Sequence, residues 1–161
     1  MKKDYAAYLE LAARCHVFLL LNTYGLGKVM GGQFYRRGQL PEEIAQQTLA
    51  EVGGFDLAWT FMGYSYTYIL FIGVSQIIGA WCLLWERTKF LGMAILIPIL
   101  LNIIVFDLIF FEKYGALASA VNYLLLLLLV LYLNREQTLA ILQKMTQANP
   151  PFLQGSFQEK A

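Results

Sequence analysis

Three long apolar runs in the second half of the chain constrain its fold most. They cover residues 66–85, 90–111 and 115–133, and each is close to the about 20 residues that a helix needs to cross the hydrocarbon core of a bilayer. Charged residues make up 14 % of the 161 residues, against about 25 % in an ordinary soluble domain. The sequence therefore predicts an all-α integral membrane protein.

A fourth, more polar segment, residues 12–31, is interpreted as another span. It carries Arg14, His16, Asn22 and Lys28, but its stretch "VFLLLNTYGLG" is too apolar for a loop. The later spans are joined by very short links, and such links make consecutive helices antiparallel neighbours. Residues 1–134 are therefore predicted to form a four-helix transmembrane bundle.

The remaining segments are predicted to lie outside the bilayer. Residues 32–64 form a long outer loop with one short helix at "LPEEIAQQTLAEV", where Pro41 suits the first helical position and Glu42 and Glu43 suit the positive end of the helix dipole. The aromatic stretch that follows is expected in the membrane interface, with the loop packed across the outer mouth of the bundle. Residues 135–161 are predicted to be a cytoplasmic amphipathic helix and tail.

The distribution of basic residues predicts the orientation of the chain. Loops on the cytoplasmic side of a membrane carry an excess of lysine and arginine. With four spans, one side holds Lys2, Lys3, Arg87, Lys89, Arg135 and Lys144, and the other side holds Arg36, Arg37 and Lys113. Both termini are therefore expected in the cytoplasm.

Two charged residues fall within the predicted spans, Lys28 and Asp107. At about 1.5 Å per residue, both lie roughly 25 Å from the cytoplasmic ends of their helices. A charge inside a bilayer is costly and is usually paired with another group. An intramembrane ion pair between Lys28 and Asp107 is one interpretation. In the alternative, Lys28 extends outward to the interface and Asp107 is hydrogen-bonded by the outer loop.

Each predicted span also carries one carboxamide at middle depth. These residues are Asn22, Gln76, Asn102 and Asn122. Lipid cannot satisfy their donors and acceptors, so they are expected to face inward. They either hold the helices together, at about 0.6 kcal/mol per contact, or form the polar floor of a pocket for a lipophilic molecule with carbonyl groups, such as a quinone.

The sequence contains no recognisable catalytic motif. Cys15 and Cys82 form no Cys-x-x-Cys pair, and His16 is the only histidine, so neither a dithiol redox centre nor a metal site is predicted. There is no phosphate-binding glycine loop or nucleophile elbow. The net charge is +1 and there is no basic stripe, so nucleic acid is not an expected partner.

Residues 63–107 resemble the DoxX-like family of small four-helix bacterial membrane proteins. The resemblance lies in an aromatic Gly-Tyr-Ser entry, a Phe-x-Gly helix start, an Arg-Thr-x-x-Leu-Gly turn and a third helix that bears asparagine. The matching residues are Gly63, Tyr64, Ser65, Phe71, Gly73, Gly79, Arg87, Thr88, Leu91, Gly92 and Asn102. Lys28 also matches a lysine that follows a glycine late in the family's first helix, whereas Gln76 stands where the family usually has glutamate.

This resemblance implies a protein of the bacterial cytoplasmic membrane, in a family where some members look like subunits of quinone-linked sulfur oxidation and others associate with redox-stress proteins. The first functional expectation is an accessory or assembly subunit of a larger membrane complex, with other membrane subunits or further copies of the chain as partners. The alternative is a redox-associated protein that binds a quinone or a lipid between its helices. A small transporter is a third reading, which four spans without visible repeats do not favour.

Overall fold

The computed structural model of the chain describes residues 2–110 and 114–147. Within these ranges the protein is all-helical and contains no strand. The helices are α1 (Lys2–Val29), α2 (Glu42–Ala45), α3 (Gly54–Gly63), α4 (Tyr66–Leu84), α5 (Lys89–Phe110), α6 (Tyr114–Leu133) and α7 (Arg135–Gln147).

Three of these helices are long and apolar enough to cross a membrane. They are α4, α5 and the part of α6 from Gly115 to Leu133, and they coincide with the three apolar runs to within one residue at each end. Helix α1 is not among them, because charged residues occur along its length. It is also longer than expected, since one continuous helix begins at Lys2 rather than at residue 12.

The four long helices pack in a closed ring. Helix α1 contacts α4 and α6, and α5 lies between α4 and α6 and contacts both. Their buried apolar side chains form one core, whose largest members include Val17, Leu21, Leu83, Leu96 and Leu127. Each long helix therefore buries one face in a shared interior.

Glycines let α4 approach its two neighbours closely. A Cβ atom at Gly73 would lie 3.0 Å from the carbonyl oxygen of Gly25 in α1, and a Cβ atom at Gly92 in α5 would lie 2.7 Å from the carbonyl oxygen of Gly79 in α4. Both distances leave no room for a side chain. Small residues at such crossings are typical of tightly packed membrane helices.

Helix α1 ends one residue after Lys28. The N–H of Gly31 donates to the carbonyl of Lys28 (3.0 Å), and the N–H of Gly32 donates to the carbonyl of Gly27 (3.1 Å). Gly31 has φ +73°, a left-handed conformation that glycine adopts readily at the end of a helix. The chain therefore turns away at this point instead of continuing to residue 31 as a helix.

The segment 32–64 differs from the sequence prediction. The predicted helix over residues 40–52 is only the four residues of α2. At Thr48 the N–H and the hydroxyl both donate to a Glu51 carboxylate oxygen (3.0 and 2.8 Å), and such a local side-chain bond competes with continuation of a helix. The aromatic stretch begins with a regular helix that was not predicted, α3, which packs against α4 and α5; its location in the membrane interface stays a prediction.

A break at Asn134 separates α6 from α7. The Asn134 side-chain amide donates to the carbonyl of Val130 (2.9 Å), and the next helix begins at Arg135. The predicted amphipathic helix at residues 135–147 is therefore present. Some predicted features lie outside the described residues. They are the tail at residues 148–161, Phe111 at the end of the predicted span 90–111, and Lys113 in the link that follows it.

The glycine contacts predict a difference between two conservative substitutions. Gly92→Ala places a methyl group against the backbone of Gly79 and Leu83, and overpacking of this kind costs about 1–3 kcal/mol. Gly27→Ala meets nothing within 4 Å and raises helix propensity by up to about 1 kcal/mol. Thermal unfolding in a mild detergent should therefore show a lower Tm for the first variant and an unchanged or higher Tm for the second. Equal shifts would contradict the close α4–α5 contact.

Candidate functional site

A cavity of about 350 Å³ lies between the helices. Its walls come from α1, α4, α5 and α6, and its cover comes from α3 and from the loop that follows α1. Most of the lining is apolar, including Leu21, Ile72, Ile99 and Phe106. A small number of polar side chains interrupt this surface, and these determine its chemistry.

The two charged residues of the predicted spans both line this cavity. Lys28 and Asp107 are each 5 % exposed, and each lies within the electrostatic influence of the other. They form no direct salt bridge in the part of the chain that the structure describes. Lys28 therefore points into the protein rather than outward to the interface, and the two charges face one space from opposite helices. A direct ion pair between them stays a prediction.

Three buried oxygen atoms on cavity-lining side chains have no hydrogen-bond partner among the described residues. They are Oε1 of Gln33, Oε1 of Gln76 and Oδ2 of Asp107. Gln76 is only 1 % exposed. Nearly all buried polar groups in folded proteins are hydrogen-bonded, so each exception needs an explanation. These three oxygen atoms can each accept a hydrogen bond.

The structure separates the four predicted carboxamides. Gln76 and Asn102 both line the cavity. Asn22 has a buried, unpartnered Oδ1 atom but does not line this cavity, and Asn122 is exposed on α6. Depth along a helix axis could be estimated by counting residues, but the direction of each side chain depends on how the helix is rotated in its packing.

Aromatic side chains cover one end of the cavity. Phe34 packs against Trp59 with ring centroids 4.9 Å apart, and Phe55 stacks on Trp59 at 4.4 Å. Both Phe34 and Trp59 line the cavity, next to Gln33. Gln33 could not be predicted from the sequence, because it lies in an irregular segment whose path depends on tertiary contacts.

The loop that carries Gln33 is held in place by contacts at its two ends. The Tyr66 hydroxyl donates to the carbonyl of Val29 (2.7 Å), and the Arg36 guanidinium lies 4.6 Å from the Tyr66 ring centroid. The Tyr35 hydroxyl donates to Asp56 of α3 (3.2 Å). These contacts fix the cover over the cavity.

The cavity also opens at the side, between residues of α4 and α5. Phe71, Pro98 and Asn102 line the cavity and are at the same time exposed, Phe71 by 70 %. Pro98 lies inside α5, and proline removes one backbone hydrogen bond and strains the preceding turn of a helix. The two helices therefore touch at Gly79 and Gly92 but leave an opening farther along.

Two further buried charges, Arg14 and Lys89, lie with their partners near the start of α5. We call Glu10, Arg14, Glu86, Lys89 and Asn134 the charged cluster. Arg14 is 2 % exposed and donates to the carbonyls of Leu83 (2.6 Å) and Leu84 (2.9 Å) as well as to Glu86. These contacts join α1 to the turn between α4 and α5, and the carbonyl contacts cap the end of α4.

Lys89 extends the charged cluster to the remaining helices. Its ammonium lies 2.8 Å from oxygen atoms of Glu10, Glu86 and Asn134. Glu86 is only three residues before Lys89, but the contacts with Glu10 and Asn134 join positions far apart along the chain, and the sequence did not indicate them. The hydrogen bonds from Lys89 and Arg14 lower the pKa of the Glu86 carboxyl below its usual range. This cluster is fully partnered, in contrast to the cavity.

The fold and the cavity define an all-α protein with three helices of membrane-spanning length around a space that holds buried, partly unpartnered polar groups. The chain is 36 % identical over 137 residues to the Uncharacterized protein YwoB of Bacillus subtilis (strain 168), and the alignment covers 84 % of this chain and 84 % of that relative. The chain belongs to the family of YwoB. No protein-family model matches it, and no solved structure matches it.

The charged cluster predicts an acid-sensitive contribution to stability. Because folding lowers the pKa of Glu86, its contribution is fully present above the ordinary glutamate value of about 4.5 and is lost as pH falls through the lowered value. The Tm of the wild type should therefore exceed that of Glu86→Gln at pH 7, and the difference should shrink below pH of about 4.5. Glu136→Gln on α7 is the matched control. A difference between wild type and Glu86→Gln that does not change with pH would contradict this role.

Proposed function

We propose that this protein binds a lipophilic small molecule, a quinone or a lipid, in the cavity between its helices. The observation that carries the proposal is the group of three buried, unpartnered oxygen atoms on side chains that line one cavity. A buried polar group without a partner costs about 1–3 kcal/mol, and a bound headgroup that donates hydrogen bonds to these oxygen atoms, such as a lipid hydroxyl or the reduced form of a quinone, would remove that cost. The proposal assigns no catalytic step to this chain.

The proposal includes four membrane spans, with α1 as the fourth. Two charges of α1 argue against a span by composition, but both are buried by neighbouring helices. Arg14 is enclosed in the charged cluster and Lys28 faces the cavity. A charged residue within a membrane-spanning helix is expected to face the interior of the helix bundle in this way. The proposal also includes the four-helix bundle of the DoxX-like family, which is supported by the motif residues within 63–107 of the sequence.

The proposed location is the bacterial inner membrane with both termini in the cytoplasm. The charged cluster brings Glu10 of α1, the α4–α5 turn and Asn134 to one end of the helices. Lysines and arginines of the flanking sequences are therefore concentrated at that end, while Arg36 and Arg37 lie in the loop after α1 at the other. The positive-inside tendency favours the first end as cytoplasmic.

A ligand in the bilayer would reach the cavity from the side. If α4 and α5 span the membrane, the opening at Phe71, Pro98 and Asn102 faces lipid. A lipophilic molecule would enter there with its apolar part along the aliphatic and aromatic lining. Its headgroup would meet Gln76, Lys28 and Asp107, which lie deeper in the cavity wall.

Ligand retention is predicted to depend on Gln76. Gln76→Leu keeps a similar volume but removes the buried amide that a headgroup would contact, and loss of one such hydrogen bond corresponds to roughly a tenfold weaker affinity. Native mass spectrometry of protein extracted gently from its source membrane should show a discrete lipophilic adduct on the wild type. The fraction of protein that carries the adduct should fall in the variant.

The matched control for this experiment is Gln143→Leu, an exposed position on α7. It should retain the adduct as the wild type does. A wild type without any adduct, or an equal adduct on Gln76→Leu at unchanged Tm, would contradict binding at this cavity.

A second function rests on Asn122. This carboxamide lies in α6, within a stretch of membrane-spanning length, and it is exposed. Lipid cannot satisfy an amide, so a protein surface is its most favourable neighbour in a bilayer. We therefore propose that α6 contacts another polypeptide and that the protein acts as an accessory or assembly subunit of a larger membrane complex, or as a homo-oligomer.

Assembly is predicted to depend on Asn122. Asn122→Leu replaces a polar contact with an apolar side chain of similar size and should reduce the population of particles heavier than the 18.3 kDa chain. The same native mass spectra report both the loss of heavier particles and the loss of the lipophilic adduct. The two give different mass changes, so assembly and ligand binding are distinguished. Wild-type protein that is monomeric under gentle extraction, or an assembly that Asn122→Leu leaves intact, would contradict this function.

A further inference from the structure

We infer that the ligand of this cavity is a neutral lipophilic alcohol or phenol, whose hydroxyl group donates to Asp107 and accepts from Lys28. This inference rests on the proposed binding function and narrows it. A molecule whose oxygen atoms are all carbonyl or ether oxygens would bind less well, because it offers no donor. Two features of the cavity lead to this class of ligand: the polar atoms that lack hydrogen-bond partners, and a lining that contains one cation and one anion.

The unpartnered oxygen atom of Asp107 requires a headgroup that donates a hydrogen bond. An ionised carboxylate only accepts hydrogen bonds, and Oδ2 of Asp107 is buried without a donor among the described residues. A bound molecule therefore has to supply an O–H or N–H at this position. Hydrogen bonds to a charged group are stronger than those between neutral groups, so this contact outweighs one with either glutamine of the cavity.

Lys28 supplies the complementary requirement. Its ammonium donates and cannot accept, and it faces the same cavity as Asp107 without forming a direct salt bridge with it. A hydroxyl oxygen placed between the two residues satisfies both at once, because it donates through its hydrogen and accepts through its lone pairs. The separation of the two side chains is what leaves room for such a group.

The charge of the cavity lining excludes ionic headgroups as good ligands. Among the described lining residues Lys28 is the one cation and Asp107 the one anion. A phosphate or a fatty-acid carboxylate would meet the Asp107 carboxylate, and an ammonium would meet Lys28. A neutral headgroup avoids both repulsions, and like charges in a buried site are costly.

The glutamines tolerate a range of further polar groups. Gln33 and Gln76 each carry a donor and an acceptor on a side-chain amide that can rotate, so they can pair with an additional hydroxyl or with a carbonyl of the same ligand. The remaining lining accommodates an alkyl chain or a ring. The ligand therefore has one specific requirement, a hydroxyl group at Asp107. The rest of the ligand is limited mainly by the volume of the cavity.

A competition between two matched probes tests the inference. The probes are para-dodecylphenol and its methyl ether, which share ring and chain and differ in one hydrogen-bond donor. Purified wild-type protein, with co-purified lipid removed, is incubated with both at equal concentration, and the two bound forms are resolved by native mass spectrometry. The phenol form should exceed the ether form by about tenfold, the ratio expected when one hydrogen bond to a charged group is lost.

Asp107→Asn identifies the acceptor. The variant introduces an amide that can donate as well as accept, so the preference for the phenol should fall to about two- to threefold, the low end of what a neutral hydrogen bond contributes. Glu136→Gln on α7 removes one carboxylate far from the cavity and should keep the wild-type ratio. If Asp107→Asn does not fold, the wild-type competition by itself still decides between a donor-bearing ligand and a donor-free one.

The outcomes separate this inference from the binding function. Equal binding of phenol and ether to the wild type would overturn the inference while supporting the cavity as a site for lipophilic molecules. A phenol preference that persists unchanged in Asp107→Asn would overturn the assignment to Asp107. Binding of neither probe would contradict the proposed function itself.

Discussion

The close approach of α1 to α4 at Gly25 and Gly73 determines how the rest of the molecule is arranged. Because neither glycine has a side chain, the two backbones meet, and a Cβ atom at Gly73 would lie 3.0 Å from the Cβ atom of Lys28 as well as from the Gly25 carbonyl oxygen. This contact sets the rotation of α1 about its axis. Lys28 consequently faces the cavity, one turn from the crossing, and the helix ends immediately afterwards.

The two groups of buried charges have opposite characters. In the charged cluster, Arg14 and Lys89 are each 2 % exposed, and both are surrounded by carboxylates and carbonyls. Such a network is expected when a charge is structural, since an unpaired buried charge is strongly destabilising. In the cavity, Lys28 and Asp107 are also buried but form no salt bridge among residues 2–110 and 114–147, and within the same ranges one oxygen of Gln76 has no hydrogen-bond partner. The contrast within one chain is the physical basis for assigning stability to one end and binding to the other.

Much of the fold was predictable from hydropathy, and the errors have local causes. The bounds of α4, α5 and α6 follow the apolar runs because a helix of about 20 residues is the unit that satisfies its own backbone in an apolar solvent. The predicted helix after Pro41 stops early because Thr48 and Glu51 bond each other instead of continuing it. Helix α3 was not predicted because its stretch was interpreted from its aromatic residues, which are typical of the membrane interface, whereas its packing against α4 and α5 is a tertiary contact.

The sequence by itself determined that this chain is helical, which segments are long and apolar enough to cross a membrane, and that Lys28 and Asp107 would lie at similar depth. Those properties depend on composition and on rise per residue, which are local. Only the tertiary structure decided that Gln76 and Asn102 share a cavity whereas Asn22 and Asn122 do not, and that Gln33 joins them from a loop. Those outcomes depend on the rotation of each helix and on the path of the connecting chain, which packing between distant residues determines.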